Sequence, residues 1–383
     1  VISKESLFIL ENNLVMAGKV NRKFENQFVK IGTTLTIRKP NKFIVSKGPA
    51  LNVQDINEPS TSVTINQQAH VDFQFTTQDL TLVIEEFSER YIKPAMAEIA
   101  NTVDYDTMSN WTAIYNKVGT PGTIPSTFAS LAAVGQRMDE MACPQDGRVL
   151  VLGPAAYWSL ANGLIGVYVQ SVAQPALKGF LANIANFEIY QDQNVQSETL
   201  PAYSGTPTVN GAGQTGSSLV TQAWGNSLTV AVPGTVFTIA GVHSINPRSR
   251  QSTGVLQPFT VTSNATSNGS GASTMAITPA IVTSGPYQTV DASPANSAAI
   301  NVIGSASTAY AQNIAFVKDT FGLVMVPLEI PQGVDFAARS TYKNLSLRIL
   351  RQYDINNDVL PCRADVLYGS ATYYPETGVR LTN

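Results

Sequence analysis

Between Glu198 and Lys318 the chain carries three charged residues, Arg248, Arg250 and Asp291. The remainder of that stretch is mostly Ser, Thr, Gly, Ala, Asn, Gln, Pro and β-branched aliphatics, while both flanks are ordinary charged sequence. A block of one composition set inside a chain that then resumes its former character reads as an inserted module. Short runs such as TVFTIAGV (Thr235 to Val242) and FTVT (Phe259 to Thr262) alternate or stay apolar, with Gly, Pro and Asn between them. That pattern predicts an antiparallel β-barrel or sandwich over residues 223–306. A solvated loop of this length would be out of place in a compact domain. The scarcity of charge also argues against a disordered polyelectrolyte.

With 383 residues there is room for two or three domains at about 100–200 residues each. Charged residues make up 13%, against a usual value of about 25%. A polar but weakly charged surface suits a protein largely covered by copies of itself. The net charge of −3 supplies no global basic field for nucleic acid. Cys143 and Cys362 are the only cysteines, too few for a disulfide framework. No basic-plus-apolar leader and no membrane-length apolar run is visible, so a reducing cytosol is the expected site of synthesis.

Ser3 to Val20 reads as an amphipathic helix, with Leu7, Leu10 and Leu14 at helical spacing. TTLTIRKPNKFIVS (Thr33 to Ser46) and TSVTINQQAHVDFQF (Thr61 to Phe75) then alternate apolar and polar residues around a turn-rich SKGPALNVQDINEP. This predicts a long β-hairpin over 33–78 with little apolar content to anchor it. Its first arm is basic (Arg38, Lys39, Lys42, Lys47) and its distal part acidic (Asp55, Glu58). Such a hairpin should seek its partners on another chain, and these six residues are the candidate inter-subunit contacts.

From Ser88 to Lys117 the pattern is helical, with Ile92, Met96, Ile99 and Val103 on one stripe. Pro94 would bend or break a helix that starts at Ser88, and is innocuous in the first turn of one that starts near Ile92. Ser126 is the expected cap of a second helix carrying Phe128, Leu131, Val134, Met138 and Met141. RVLVLGP (Arg148 to Pro154) predicts a buried strand with Pro154 opening a further helix. Charged α/β sequence is expected again after the inserted module, to Asn383.

No constellation points to chemistry. His70 and His243 are the only histidines, and neither has a Cys or carboxylate at metal-ligand spacing in the sequence. GAGQTG (Gly211 to Gly216) matches G-x-G-x-x-G, but no acid follows before Asp291, so a hinge into the module is the better expectation. DINND (Asp354 to Asp358) lacks the Gly and Glu of a calcium loop and predicts a turn between strands. Asn-x-Ser/Thr triplets at Asn110, Asn264, Asn268 and Asn344 would matter only in a secreted protein. No catalytic, cofactor or metal residue is assigned, and no enzyme is expected.

The order of parts, together with several strings, carries a resemblance. The strings are NVQDINEPS (Asn52 to Ser60), FSERYIKPAMAEIAN (Phe87 to Asn101), GTVFTIAGVHSINPRSRQSTGVLQPFTVT (Gly234 to Thr262), FVKDTFGLVMVPLEIPQG (Phe316 to Gly333) and SLRILRQYDINNDVLPCRADVLYG (Ser346 to Gly369). They resemble the major capsid proteins of tailed bacteriophages with the Hong Kong 97 fold, and most of all the short-tailed-phage coat proteins that carry a β-barrel insertion, as in the Salmonella transducing phage.

The resemblance implies an α+β chain divided into an N-terminal arm (1–32), an extended loop (33–78), a peripheral domain with a long spine helix (79–122 and 335–383), an axial α/β domain (123–222 and 307–334) and the inserted barrel (223–306). It implies self-assembly through pentamers and hexamers into an icosahedral head made in the host bacterial cytoplasm. Scaffolding and portal proteins, packaged double-stranded DNA held non-specifically and a possible decoration protein would be partners, with no membrane. Pro94 becomes a hinge candidate for the change between immature and expanded shells. Some members cross-link through a Lys–Asn isopeptide bond, but no Lys, Asn and Glu set is assigned to it here. A nanocompartment shell of the same fold is the alternative. A secreted carbohydrate-active protein is a more distant one, since the charge-poor block holds a single acid and so cannot contain a carboxylate pair.

Overall fold

The computed structural model describes residues 14–23, 34–76, 92–164, 184–342, 345–357 and 359–382. These fall into two compact units. The first comprises Val1–Lys39, Ser60–Met108 and Phe321–Tyr373, and the second Pro40–Pro59, Ser109–Thr320 and Tyr374–Asn383.

The first unit is built on the strand Val359–Thr372. It pairs antiparallel with Gln67–Thr76, with Leu345–Arg351 and with Phe321–Val326, and Phe336–Tyr342 extends the sheet beyond Leu345–Arg351. Along Gln67–Thr76 the half-buried Ala69, Val71 and Phe73 alternate with exposed Gln68, His70, Asp72 and Gln74. The period-2 reading of this segment is therefore right, but its partner is not the first hairpin arm. Only Ser60–Thr64 returns along that arm, pairing with Thr34–Arg38. The strands stop there because Pro40 lacks an N–H and Pro59 lacks one on the return.

Helix α1 (Lys93–Met108) buries Ala95, Met96, Ile99, Ala100, Val103, Asp104, Thr107 and Met108, a continuous stripe at helical spacing. It ends sooner than the sequence suggests. A 3₁₀ turn, Ser109–Ala113, follows, and Lys117 belongs to a short strand, Lys117–Val118. The turn buries Trp111, whose indole N–H donates to Gln196 Oε1 at 3.0 Å. The N-terminal helix reading also changes where it can be seen. Residues 14–20 are turns, because Val15 and Ala17 direct their N–H groups to the buried Asp104 carboxylate at 2.7 Å each, away from any helical carbonyl. The earlier part of that predicted helix lies outside the described residues.

The second unit holds two larger β structures, besides a two-stranded pairing of Thr229–Ala231 with Ala265–Thr266. In one, Lys117–Val118, Val379–Thr382, Ala309–Val317, Arg148–Leu152 and Phe187–Gln191 lie side by side, and Ser197–Thr199 also pairs with Ala309–Val317. All five residues of Arg148–Leu152 are buried, and Pro154 opens α3 (Pro154–Leu164), as the sequence predicts. Helix α2 (Phe128–Glu140) packs Leu131, Val134 and Met138 into the core with Leu150, Tyr157 and Phe187. Its cap residue is Thr127 and not Ser126, whose carbonyl oxygen would lie 1.6 Å from a Cβ on Gly163. That approach fixes Ser126 outside the helix and requires glycine at 163. Among the described residues after Leu164 there is no α-helix, so the expected α/β return is all strand and short 3₁₀ turns.

The other structure contains the charge-poor block. Ile300–Val302, Val236–Ile245, Ser252–Val261, Ser273–Ile281, Gly216–Trp224 and Gly205–Val209 form one antiparallel sheet in that order. A bridge from Thr208 to Ala299, with Val209 N donating to Ala298 O at 2.9 Å, joins its two ends into a barrel. Leu219, Trp224, Phe237, Ile239, Phe259 and Ile277 fill the interior, with the Phe237 and Phe259 rings stacked at 5.8 Å. Gly205–Val209 precedes the sequence boundary at Ala223, and Gly216–Trp224 runs across it. GAGQTG is therefore neither a hinge nor a nucleotide loop but the turn between Gly205–Val209 and Gly216–Trp224, using Gly211, Gly213 and Gly216 at φ 95°, 73° and 85°. The C-terminal boundaries shift too. Phe321–Val326 belongs to the first sheet, and Val379–Thr382 to the second unit through Ala309–Val317.

Candidate functional site

Residues 40–59 contain no strand. The segment is organised by its own side chains. Ile44 N donates to Gln54 Oε1 at 2.8 Å and Ile44 O accepts from Gln54 Nε2, so one amide replaces a ladder pair. Asn52 Nδ2 donates to Ser46 Oγ at 2.9 Å. At its base, Tyr287 of the barrel lies against Asn41, Lys42 and Asn57.

The tip is apolar and uncovered: Leu51 is 90% exposed, Val45 89%, Val53 78%, Ile56 76% and Phe43 61%. Ile44 is exposed as well; single exposed apolar residues are ordinary, whereas six on one short segment make it a candidate interaction surface. Of the six predicted contact residues, Lys42, Lys47, Asp55 and Glu58 are exposed on this segment, Arg38 is exposed at the end of Thr34–Arg38, and Lys39 is half-buried beside it. Lys42, Lys47, Asp55 and Glu58 are interspersed along the chain with these apolar residues, which charge pattern alone did not single out. Pro94 is the second residue of α1, where the missing N–H interrupts no helical bond in the described residues. The segment 77–91 on its N-terminal side lies outside them.

A second constellation, absent from the sequence reading, is a buried charge cluster. Lys117 Nζ lies 2.9 Å and Arg380 Nη1 3.6 Å from Glu198 Oε2, with all three side chains at most 1% exposed. Burial pulls the Lys117 ammonium below its ordinary value against the opposing pull of Glu198. Burial likewise lowers the Arg380 guanidinium to about 10, with Glu198 opposing. The guanidinium also covers the Trp111 ring at 5.2 Å and donates through Nη2 to Gly234 O at 2.8 Å. Perturbed groups of this kind mark active sites when they sit in a cleft. Here they are packed between strands, and the arrangement is a structural fastening. A like role falls to Arg137, which donates to Asn116 Oδ1 at 3.0 Å and Ser244 Oγ at 3.0 Å. No sequence signal links residues so far apart in the chain.

The remaining candidates are local. His70 Nδ1 lies 2.9 Å from Asp72 Oδ2 on an exposed strand face. His243 Nδ1 lies 2.8 Å from Asp291 Oδ2, to which Ser252 Oγ also donates at 3.2 Å. The hydroxyl thus meets the carboxylate and not the imidazole, the wrong connectivity for a nucleophilic triad. The described part of DINND, Asp354 to Asn357, is a side-chain-stabilised turn after Leu345–Arg351, with Asn356 N donating to Asp354 Oδ1 at 2.9 Å. Burial pushes the Cys143 thiol up to about 12 and the Cys362 thiol up to about 11, which leaves neither reactive at neutral pH. Arg248 is exposed in the turn 246–250, while Arg250 is half-buried and donates to Gly285 O at 3.2 Å. Among the described residues no helix is long and apolar enough to cross a membrane, and no group of three His, Cys, Asp or Glu could hold a metal.

Comparison with solved structures gives a likeness to one from Mycobacterium phage Che8, with 12% identity, TM-score 0.50, and coverage of 96% of this chain and 90% of that one. The capsid of Ralstonia phage GP4 aligns at 8% identity and TM-score 0.46, covering 92% and 84%. The CUS-3 coat protein I-domain aligns at 28% identity and TM-score 0.20 over 26% of this chain and 96% of its own. Comparison with curated proteins gives no match. At these identities the likeness to the Che8 structure speaks for the fold alone. The family model described as "P22 coat protein - gene protein 5" matches residues 1–383. By that match over its whole length, the chain belongs to the P22 coat protein family, phage capsid proteins of the Hong Kong 97 fold.

Proposed function

We propose that this coat protein is the major capsid subunit of a tailed phage, assembling through pentamers and hexamers into an icosahedral head around double-stranded DNA. The observation that carries the reading is the uncovered apolar tip on residues 40–59. A segment with six exposed large apolar side chains and no strand of its own finds its buried partners on a second copy, and closed symmetric assembly supplies them at every position. Arg38, Lys39, Lys42, Lys47, Asp55 and Glu58 would set register around the tip. Each exposed pair contributes only about 0–1 kcal/mol, so their effect depends on repetition around the shell.

A chain of net charge −3 suits a container whose genome must slide during packaging, because binding strength follows the number of phosphates neutralised. Assembly in the host cytoplasm, with scaffolding and portal proteins as partners and a decoration protein as a further one, belongs to the same reading. The test is a Leu51→Ser, Val53→Ser double variant. It should fold with an unchanged urea midpoint and fail to form shells by electron microscopy. Normal shells from that variant would refute the assignment of the tip. Protein cargo in place of DNA inside shells purified from infected cells would favour a nanocompartment.

A further inference from the structure

Tyr287 stands in the segment between the barrel strands Ser273–Ile281 and Ile300–Val302. Its hydroxyl oxygen lies 2.7 Å from Asn41 Oδ1 and 2.6 Å from Asn57 O, and accepts from Lys42 N at 3.3 Å. Having one proton, the phenol donates to one of the two oxygens at a time. Asn41 lies on the outgoing arm and Asn57 on the return, so a single side chain ties both arms together. The Lys42 ammonium sits 5.9 Å from the same ring.

The segment carrying Tyr287 is itself fastened, and by the rarest residues of its region. Of the three charged residues between Glu198 and Lys318, two serve it. Asp291 accepts from His243 N at 2.8 Å and pairs with the His243 ring, while its own N–H donates to His243 O at 3.1 Å. Arg250 donates to Gly285 O at 3.2 Å. Thr289 closes the neck of the segment, with Val282 N donating to its Oγ1 at 3.0 Å and that hydroxyl donating to Ala280 O at 2.6 Å. Beside the phenol is a cavity of about 320 Å³ lined by Lys42, Tyr115, Arg250, Pro286, Tyr287 and Glu376. The 40–59 segment thus meets Tyr287 through polar contacts at the rim of that space.

We propose that Tyr287 is a positioning residue for assembly. Through it the barrel holds the 40–59 segment of its own chain, so that the apolar tip meets a second copy in one attitude. Asp291 and Arg250 hold Tyr287 in place. This extends the coat-protein reading and rests on it.

The test uses the full chain. Tyr287→Phe removes the hydroxyl and keeps the ring under Lys42. Hydrogen exchange across 40–59 in unassembled subunits should quicken by about fivefold or more, the factor for one hydrogen bond. The urea midpoint should stay unchanged, and shell formation followed by light scattering should slow. Asp291→Asn, which leaves the loop contacts intact, should raise exchange over the same segment. Unchanged exchange across 40–59 in Tyr287→Phe would overturn the anchor, and so would faster exchange with shell formation at the unaltered rate. Failure of the unsubstituted chain to form shells would refute the coat-protein reading instead, and the exchange result would still decide whether Tyr287 holds the loop.

Discussion

Arg380 reaches from the last strand to donate a 2.8 Å hydrogen bond from Nη2 to the carbonyl of Gly234, at the turn that opens the barrel strand Val236–Ile245. The bond joins the C-terminal strand to the inserted module within the second unit. Its donor is fully buried, shares Glu198 with Lys117, and lies over Trp111. Removing one member of a buried ionic group leaves the others without compensation. Arg380→Met should therefore lower stability by about 3–5 kcal/mol in urea unfolding. A loss under about 1 kcal/mol would mean that the cluster contributes little.

Gly234 is constrained from the other side. It has φ +97°, and a Cβ there would stand 2.5 Å from the Trp111 ring. Gly234→Ala should cost about 2–4 kcal/mol, combining backbone strain with overpacking. In a Trp111→Phe background the clashing ring atoms are absent, and the cost of the same change should fall by about half. A double-mutant cycle on the unfolding midpoint measures that coupling. Additive losses would show that backbone strain alone sets the cost.

Acid should weaken the first unit through Asp365. Burial by itself would raise this carboxyl. Arg348, with bonds of 2.9 and 2.6 Å, and then Arg363 and Gln68 hold it below the usual carboxylate range. The unfolded chain then takes up the proton first, so this stability is present above about pH 4 and is lost as pH falls through the lower folded value. Asp291 in the barrel behaves alike, with burial opposed by bonds from His243 and Ser252. Asp365→Asn should cost about 3 kcal/mol at pH 7 and progressively less in acid. The pH dependence of the urea midpoint checks this, and a variant curve parallel to the parent's from pH 7 to pH 3 would exclude Asp365 as the group responsible.

How much of this was legible depended on where each segment finds its partner. Arg148–Leu152 was readable because a run buried on both faces needs no knowledge of its neighbours. The barrel was readable because closing strands on one another removes the need for charge. Gln67–Thr76 showed its alternation but hid its partner, since Val359–Thr372 lies near the other end of the chain. The loop was overextended into strands because alternation in RKPNKFIVS outweighed the missing donor of Pro40. The six charged contact candidates lie on or directly before the segment 40–59, whose exposed apolar residues the charge pattern did not single out. Tyr287 gave no warning at all: a tyrosine in a Gly-Pro turn gains its meaning only when Asn41 and Asn57 arrive beside it.

Pro94 can be tested without a shell. The described helix runs from Lys93, directly after the segment 77–91 that lies outside the described residues, and a helix that starts there has Pro94 in its first turn among the four N–H groups without an intrahelical acceptor. In such a helix an alanine adds a donor that finds no acceptor, so Pro94→Ala should change stability by less than about 1 kcal/mol. If helix ran through residue 94 from both sides, the same substitution would restore a backbone bond and relieve a steric clash, a gain of about 3 kcal/mol. Urea unfolding of the full chain separates the two values. The small change is the expected one, and it makes Pro94 an ordinary first-turn proline. The large gain would identify an interrupted longer helix and make Pro94 the hinge.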